Sequence, residues 1–246
     1  MLAMSWQRPR APLVNRVLFA QAAGLAITFV VSAGFGRALG AESSFALAAT
    51  AAFAVVSLVT FGYVHQHPFE RFGAANLVTT VRAVLVSIVI ACTCQDHNAS
   101  TAWTAALCGT ASTLLDGVDG WLARHSGMVS AFGARYDMEV DALLILALAV
   151  VAWQHEKAGA WIVLAGALRY LFVAAGFIWH WMNAPLPPST RRKAVCVVQI
   201  VGLILAVAPI VPAPLSTGIG LITLLSLIWS FGVDVVWLRT LGRNSV

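Results

Sequence analysis

Nothing constrains the fold of this chain more than its eight apolar runs of about 20 residues, at roughly 14–35, 44–64, 76–94, 102–123, 133–153, 159–181, 194–211 and 216–238. Each is long enough to cross the hydrocarbon of a bilayer as a helix. Inside lipid an unpaired N–H or C=O finds no water, so a spanning segment must satisfy its own backbone, and a run of this length does so as an α-helix. Composition agrees: 60% of residues are hydrophobic and only 10% charged, far from the soluble average. Too little chain lies between the runs for a soluble domain. The expected fold class is an all-α integral membrane protein with about eight transmembrane helices, and nothing in it suits nucleic acid.

Basic residues orient such a bundle. With a cytoplasmic N-terminus, twelve of them fall on the cytoplasmic side: Arg8, Arg10, Arg16, Arg71, Arg82, Arg124, Arg135, Arg191, Arg192, Lys193, Arg239 and Arg243. Arg37 and Lys157 fall on the far side, and Arg169 inside a span. An even helix count returns the C-terminus to the cytoplasm. Residues 1–13 form a basic arm with Pro9 and Pro12, followed by a run too long for a cleavable signal. Spans one and two are rich in Ala and Gly and carry no evident chemistry. Residues 65–75 start with a Pro-containing segment that predicts a short amphipathic helix at the interface, with His65 and His67 solvated there rather than holding metal. The four cysteines have no ligand spacing, so neither a disulfide framework nor a zinc site is expected.

Against this background the acidic residues are concentrated. Five of the ten, Asp116, Asp119, Asp137, Glu139 and Asp141, fall within 26 positions. Asp116 and Asp119 are spaced i, i+3, and Asp137 and Asp141 i, i+4, so each pair shares a helix face. Two antiparallel helices joined at 125–132 bring Asp116 level with Asp141 and Asp119 level with Asp137. Asp116 lies roughly 12 Å deeper than Arg124 at the membrane edge. Unpaired, four converging carboxylates repel one another. A hard divalent cation, Mg²⁺ or Mn²⁺, is their natural partner.

Other residues elaborate the site. Asn76, Thr79 and Arg82 recur at helical spacing and give a polar stripe at the cytoplasmic end of span three. A charge at that depth needs an anion, either a carboxylate of the bundle or a substrate phosphate. Gly120 and Ala123 leave a slot on the Asp119 face where a flat ring can pass, and Gly133 leaves similar room one turn before Asp137. Arg124, two turns from Asp116, is placed for a phosphate. Arg169, in mid-span, either pairs with an acid or reaches an acceptor or phosphate. Pro185, Pro187 and Pro188 precede the basic run Arg191, Arg192, Lys193. Asp234 is expected to neutralise a nearby arginine.

The pattern D-x2-D-G-x2-A-R-x8-G-x3-D-x3-D runs without a gap through Asp116, Asp119, Gly120, Ala123, Arg124, Gly133, Asp137 and Asp141. It is the signature of the CDP-alcohol phosphatidyltransferase family, which the chain therefore resembles. Asn76, Thr79 and Arg82 also resemble the N-x2-T-x2-R that opens the first core helix in many members, with Ala75 where Pro is common. The resemblance implies a six-helix catalytic core at 76–240, an interfacial segment at 66–75, and an added region of two helices and the basic arm at 1–65. It also implies transfer of a phosphatidyl or related phosphoalcohol group from a CDP-linked donor, CDP-diacylglycerol first among them, to an alcohol acceptor, with release of CMP. In such a reading the aspartates hold one or two divalent cations and Asp141 acts as base. Cytidine packs on Gly120 and Ala123, and Arg192 and Lys193 help bind the acceptor. That basic pair leans towards an anionic acceptor. The expected setting is an integral membrane protein of a bacterial inner (plasma) membrane whose site opens to the cytoplasm. A homodimer is one admissible assembly.

Two other classes also use intramembrane carboxylates. Membrane prenyltransferases hold Mg²⁺ on Asp motifs that normally lie far apart in sequence, whereas here both lie within one short stretch and carry the G-x2-A-R insert. A cation transporter has no need of Arg124 beside the acids. Both fit less well.

Overall fold

A computed structural model describes residues 11–40 and 43–244. Arg8 and Arg10 of the expected basic arm lie outside the described residues, as does the side chain of Arg243. The described residues form eight α-helices and no strand: α1 (Ala11–Ala38), α2 (Ser43–Tyr63), α3 (Ala74–Cys92), α4 (Ala99–His125), α5 (Ala131–Gln154), α6 (Leu164–Ile178), α7 (Thr190–Val207) and α8 (Ala213–Asn244). Five stretches are long and apolar enough to cross a membrane: α1, Ser43–Gln66, α3, Ala160–Ile178 and Ala213–Leu241. The other three helices are α4, α5 and α7. They are diluted by the four aspartates in α4 and α5 and by Arg191, Arg192 and Lys193 in α7. The protein is an all-α membrane protein whose charged residues are gathered on a few helices.

The chain divides into two compact units: residues 1–96 with 107–144, and residues 97–106 with 145–246. In the first, α1, α2 and α3 pack on one another. A methyl group on Gly24 of α1 would come within 2.3 Å of the Phe53 ring and 3.1 Å of Thr80, so only a bare Cα admits that approach. Ser57 donates to Gln21 Oε1 at 2.9 Å, tying α2 to α1. Of the apolar windows, that of α3 is the most enclosed, 67% buried against 33% in α1 and 39% in α2. Any charge on α3 must therefore find its partner inside the protein.

The start of α3 departs from expectation. Residues 65–75 do not form an interfacial helix. The chain leaves α2 through a single 3₁₀ turn, Val64–Gln66, and then runs irregularly until Ala74. Pro68 contributes no N–H to a helix, and Gly73, at φ 84°, breaks any helical run into α3. His67 is not solvated either. It is buried, edge-on to the rings of Phe69 and Phe132.

α4 ends in a turn at Gly127 (φ 66°), where Met128 N–H reaches back to the Ala123 carbonyl at 3.2 Å. Three residues on, Ser130 caps α5 by accepting the Gly133 N–H at 3.0 Å. A short connection thus carries α4 into α5, as the expected hairpin requires.

In the second unit α7 packs along α8. A methyl on Gly166 of α6 would lie 2.4 Å from the backbone of Leu146, so α6 and this part of α5 meet closely. Asn98 accepts from Thr101 N–H at 2.9 Å and caps α4. Lys157 Nζ donates to the Val211 carbonyl at 2.6 Å, while Ser216 donates to the Lys157 carbonyl at 2.6 Å. The turn after α5 is thereby fastened to the start of α8. All four cysteines are free.

Candidate active site

The polar stripe of α3 faces the acidic faces of α4 and α5, and Arg82 lies at its centre. The side chain is completely buried. Its Nη1 contacts Asp116 Oδ1 at 2.9 Å and Asp119 Oδ2 at 2.8 Å, and also touches Asp137 Oδ1; Nη2 touches Asp141 Oδ1. Nε donates to the Ser112 carbonyl on α4 at 3.2 Å. One guanidinium therefore reaches four carboxylates from two helices. Of the two partners the sequence allowed for Arg82, the structure shows carboxylates of the bundle.

The four carboxylates are not equivalent. Asp119 is sealed, its side chain 6% exposed, and it also accepts from the Thr79 hydroxyl at 3.0 Å. Asp116 and Asp137 are open, at 38% and 39%, with Asp141 between at 19%. Oxygens of Asp116, Asp119 and Asp137 lie within 4.8 Å of one another, close enough to share an ion, while Asp141 is met by the other guanidinium nitrogen, Nη2. The antiparallel count groups the acids in two pairs. The structure groups them three and one, because the two nitrogens of a single guanidinium divide the set.

That trio fits a divalent cation. Three hard oxygen donors converge on one point, and the positive Nη1 already at their focus marks it as a position for positive charge. Glu139, the fifth acid of the stretch, points elsewhere in the helix pattern and pairs with Arg135 at 3.5 Å. Arg135 lies over the Tyr63 ring, 4.4 Å from its centroid, and donates to the Tyr63 hydroxyl at 3.0 Å.

Two small-residue positions read differently in three dimensions. The space expected at Gly133 is filled: a methyl there would lie 2.9 Å from Asn76 Oδ1. Gly133 is small so that α3 and α5 can touch. Asn76 itself is buried and donates to the Phe72 carbonyl at 2.5 Å, securing the first turn of α3. At Gly120 the neighbour is the Arg124 guanidinium, 3.3 Å from where a methyl would be. Arg124 is exposed and folds back over the slot, with Ala123 half-buried beside it. The outer end of α4 also stacks Trp121 on His125, with ring centroids 5.0 Å apart.

Arg169, Arg192 and Lys193 belong to the second compact unit. Arg169 is half-buried on α6, and Lys193 is exposed in the first turn of α7. Arg192 is engaged: it contacts Asp234 at 3.2 Å and donates to the Pro187 carbonyl. Arg191 holds the same Asp234 at 2.5 Å, donates to Ser230 Oγ at 2.7 Å, and lies over the Trp229 ring. Asp234 thus neutralises arginine, as expected, but it serves two.

His67, expected to be solvated, is bonded at both ring nitrogens, and Ser130 carried no expectation from the sequence. Nδ1 of His67 is 3.0 Å from Ser130 Oγ, and Nε2 is 2.8 Å from the Arg71 carbonyl. Ser130 was discoverable as a cap three residues ahead of Gly133; its bond to a histidine 63 positions earlier was not. Burial pushes the His67 pKa down, with the Arg71 carbonyl pulling weakly the other way.

The family model of CDP-alcohol phosphatidyltransferase matches residues 72–232. The match opens just before α3 and closes within α8, so it holds every residue of the site and leaves α1 and α2 outside. No solved structure matches the chain. The match covers well over half of the chain and encloses the acidic signature together with the arginine that gathers it: the protein belongs to the CDP-alcohol phosphatidyltransferase family.

Proposed function

We propose that this protein transfers the phosphatidyl group of CDP-diacylglycerol to an alcohol and releases CMP, with a divalent cation on Asp116, Asp119 and Asp137 and with Asp141 as base. The family supplies phosphatidyl transfer from a CDP-alcohol. The observation that carries the finer reading is the three-and-one arrangement of carboxylates. In the step itself the acceptor hydroxyl oxygen bonds to the phosphatidyl phosphorus. The bond from that phosphorus to the bridging oxygen breaks, CMP leaves with the electron pair, and Asp141 takes the hydroxyl proton. A bound Mg²⁺ or Mn²⁺ supplies charge neutralisation at the pyrophosphate.

The chain's own residues do the rest. Asp119, sealed and held by Thr79 and Arg82, anchors the trio, while open Asp116 and Asp137 face the substrate. Arg124 moves from above Gly120 to the donor's phosphates, and its departure frees the Gly120 and Ala123 surface for cytosine. Asn76 and Gly133 keep α3 and α5 in contact beneath. Lys193 and Arg192, with Arg169, serve an anionic acceptor headgroup; two arginines around one acid support that preference. The site and both termini face the cytoplasm, as the distribution of basic residues favours.

A headgroup screen tests this reading. Purified protein in liposomes receives labelled CDP-diacylglycerol and Mn²⁺ with a panel of neutral and phosphorylated alcohols, and products are read by mass spectrometry. The expected result is one new phospholipid plus CMP in equal amounts, with a phosphorylated acceptor preferred. CMP release with no lipid product from any alcohol, or no CMP at all, overturns it.

A further inference from the structure

Outside the acidic cluster, one chain of hydrogen bonds links the entries of two site helices. His67 Nε2 faces the Arg71 carbonyl at 2.8 Å. A carbonyl only accepts, so Nε2 carries a proton, and a neutral ring then presents an acceptor at Nδ1. Ser130 Oγ, 3.0 Å from Nδ1, already accepts the Gly133 N–H at 3.0 Å, so its own proton is available to Nδ1. Gly133 rests on Asn76, and Asn76 donates to the Phe72 carbonyl. The ring sits between Phe69 and Phe132, with centroids at 5.5 and 5.3 Å. Residues 67–73 are thus stitched to the first turn of α5 at one end and to the first turn of α3 at the other.

We propose that His67 is a positioning residue for the transfer: through Ser130 it holds the start of α5 against the start of α3, and so sets the depth at which Asp137 and Asp141 meet Arg82 and Asp119. This rests on the transferase reading above. Asp137 and Asp141 follow Gly133 at i+4 and i+8, and Thr79 and Arg82 follow Asn76 at i+3 and i+6, so each set lies on the face that begins at the contact. Helices transmit displacement along their axes, and a slip of one residue at the Gly133–Asn76 contact moves the carboxylates by about 1.5 Å. Misplacement of about 1 Å is enough to cost roughly 100-fold in rate. Packing alone would need only an aromatic ring at position 67. The two hydrogen bonds with defined donors fix an angle as well as a volume.

The substitution His67→Phe keeps the ring between its aromatic neighbours and removes both bonds, while Ser130→Ala removes the bond from the other side. In nanodiscs with CDP-diacylglycerol and the accepted alcohol, each variant is expected to lower kcat about 10- to 100-fold. CMP affinity should change less than about twofold, since its slot lies on α4, and Mn²⁺ affinity, read by electron paramagnetic resonance, should weaken severalfold. The double variant should be no worse than the worse single, as partners in one bond require. Ser130→Thr, which keeps a hydroxyl, should recover most of the loss. Wild-type kcat and Mn²⁺ affinity in both single variants, losses that multiply in the double, or a reduced folded yield with normal turnover per folded molecule would each overturn the proposal. If His67→Phe does not fold, His67→Leu, which also removes both ring bonds and leaves the Ser130 cap on Gly133 in place, decides on the same criteria. A wild-type protein that releases no CMP from any CDP-linked donor refutes the transferase reading instead, and Mn²⁺ affinity still reports on His67.

Discussion

The molecule holds two clusters of charge whose imbalances are opposite. On α3, α4 and α5 one buried arginine is shared by four carboxylates. On α7 and α8 one carboxylate is shared by two arginines, with Lys193 beside them. A charge removed from water must be compensated nearby, so the sign left over in each cluster states what it recruits. The first calls for further cations. The second has room for an anion. The exposures follow the same division: Arg82 is wholly enclosed because nothing need reach it, while Arg191 and Arg192 stay 22% and 29% exposed. The reaction assigned to the family uses both a metal and a phosphate-bearing substrate.

The largest test breaks the first cluster. Arg82→Gln leaves four carboxylates with no fixed cation, and loss of one member of a buried charge set costs about 3–5 kcal/mol. Thermal unfolding in detergent should show that drop. Because a divalent ion can replace the missing charge, Mn²⁺ should raise the melting temperature of Arg82→Gln more than that of wild type. Excess EDTA should abolish CMP release by the wild-type protein. Equal Mn²⁺ responses in the two proteins would mean that the cluster is not short of positive charge.

Within that cluster, Asp141→Asn separates the odd carboxylate from the trio. As the base, its loss should reduce turnover by about 10²–10⁴-fold while Mn²⁺ and CDP-donor affinity stay near wild type. Asp137→Asn, by contrast, should weaken Mn²⁺ binding directly. A parallel collapse of metal affinity in Asp141→Asn would make Asp141 a ligand and send the search for the base elsewhere.

The second cluster should answer to the opposite ion. Asp234→Asn leaves Arg191 and Arg192 without their shared anion, and loss of hydrogen bonds to a charged group costs about 1.5–3 kcal/mol, less here because both arginines are partly exposed. Inorganic phosphate should restore more thermal stability to this variant than to wild type, and Mn²⁺ should restore none. If Mn²⁺ rescues both variants alike, the contrast between the clusters has no chemical content.

Much of this contrast was legible in the sequence, for a local reason. The α4–α5 hairpin is read from spacing alone, since i, i+3 and i, i+4 aspartates on two adjacent helices can only converge. The pairing of Asp234 with a neighbouring arginine also followed, from the need to neutralise a buried acid. What stayed hidden depends on contacts between distant positions. Arg82 chooses among partners 34 to 59 residues away, and the sequence left both a carboxylate and a phosphate open. Gly133 looked like room for a substrate because a missing side chain has the same letter whether a ligand or Asn76 fills the space. The segment 65–75 has the composition of an interfacial helix, yet Pro68 and Gly73 override it, and His67 finds Ser130 across 63 positions.

The smallest effect concerns pH, and it comes from neither cluster but from the segment that positions the first. Burial holds the His67 pKa below its ordinary value of 6.5, so the unfolded chain takes up a proton before the folded one does as pH falls. Stability from this group is therefore complete above about 6.5 and is lost as pH drops through the folded-state value. Protonation also turns Nδ1 into a donor facing Ser130, whose oxygen already accepts from Gly133, so the bond between the two must reorganise. Wild-type protein should lose thermal stability and turnover on acidification below about 6.5 more steeply than His67→Gln, which keeps an amide donor for the Arg71 carbonyl and does not titrate in this range. The difference between the two profiles isolates His67 from the site carboxylates, which both proteins share. Coincident profiles across this window would show that the folded and unfolded chains protonate His67 alike, and the claim that burial depresses its pKa would have to be given up.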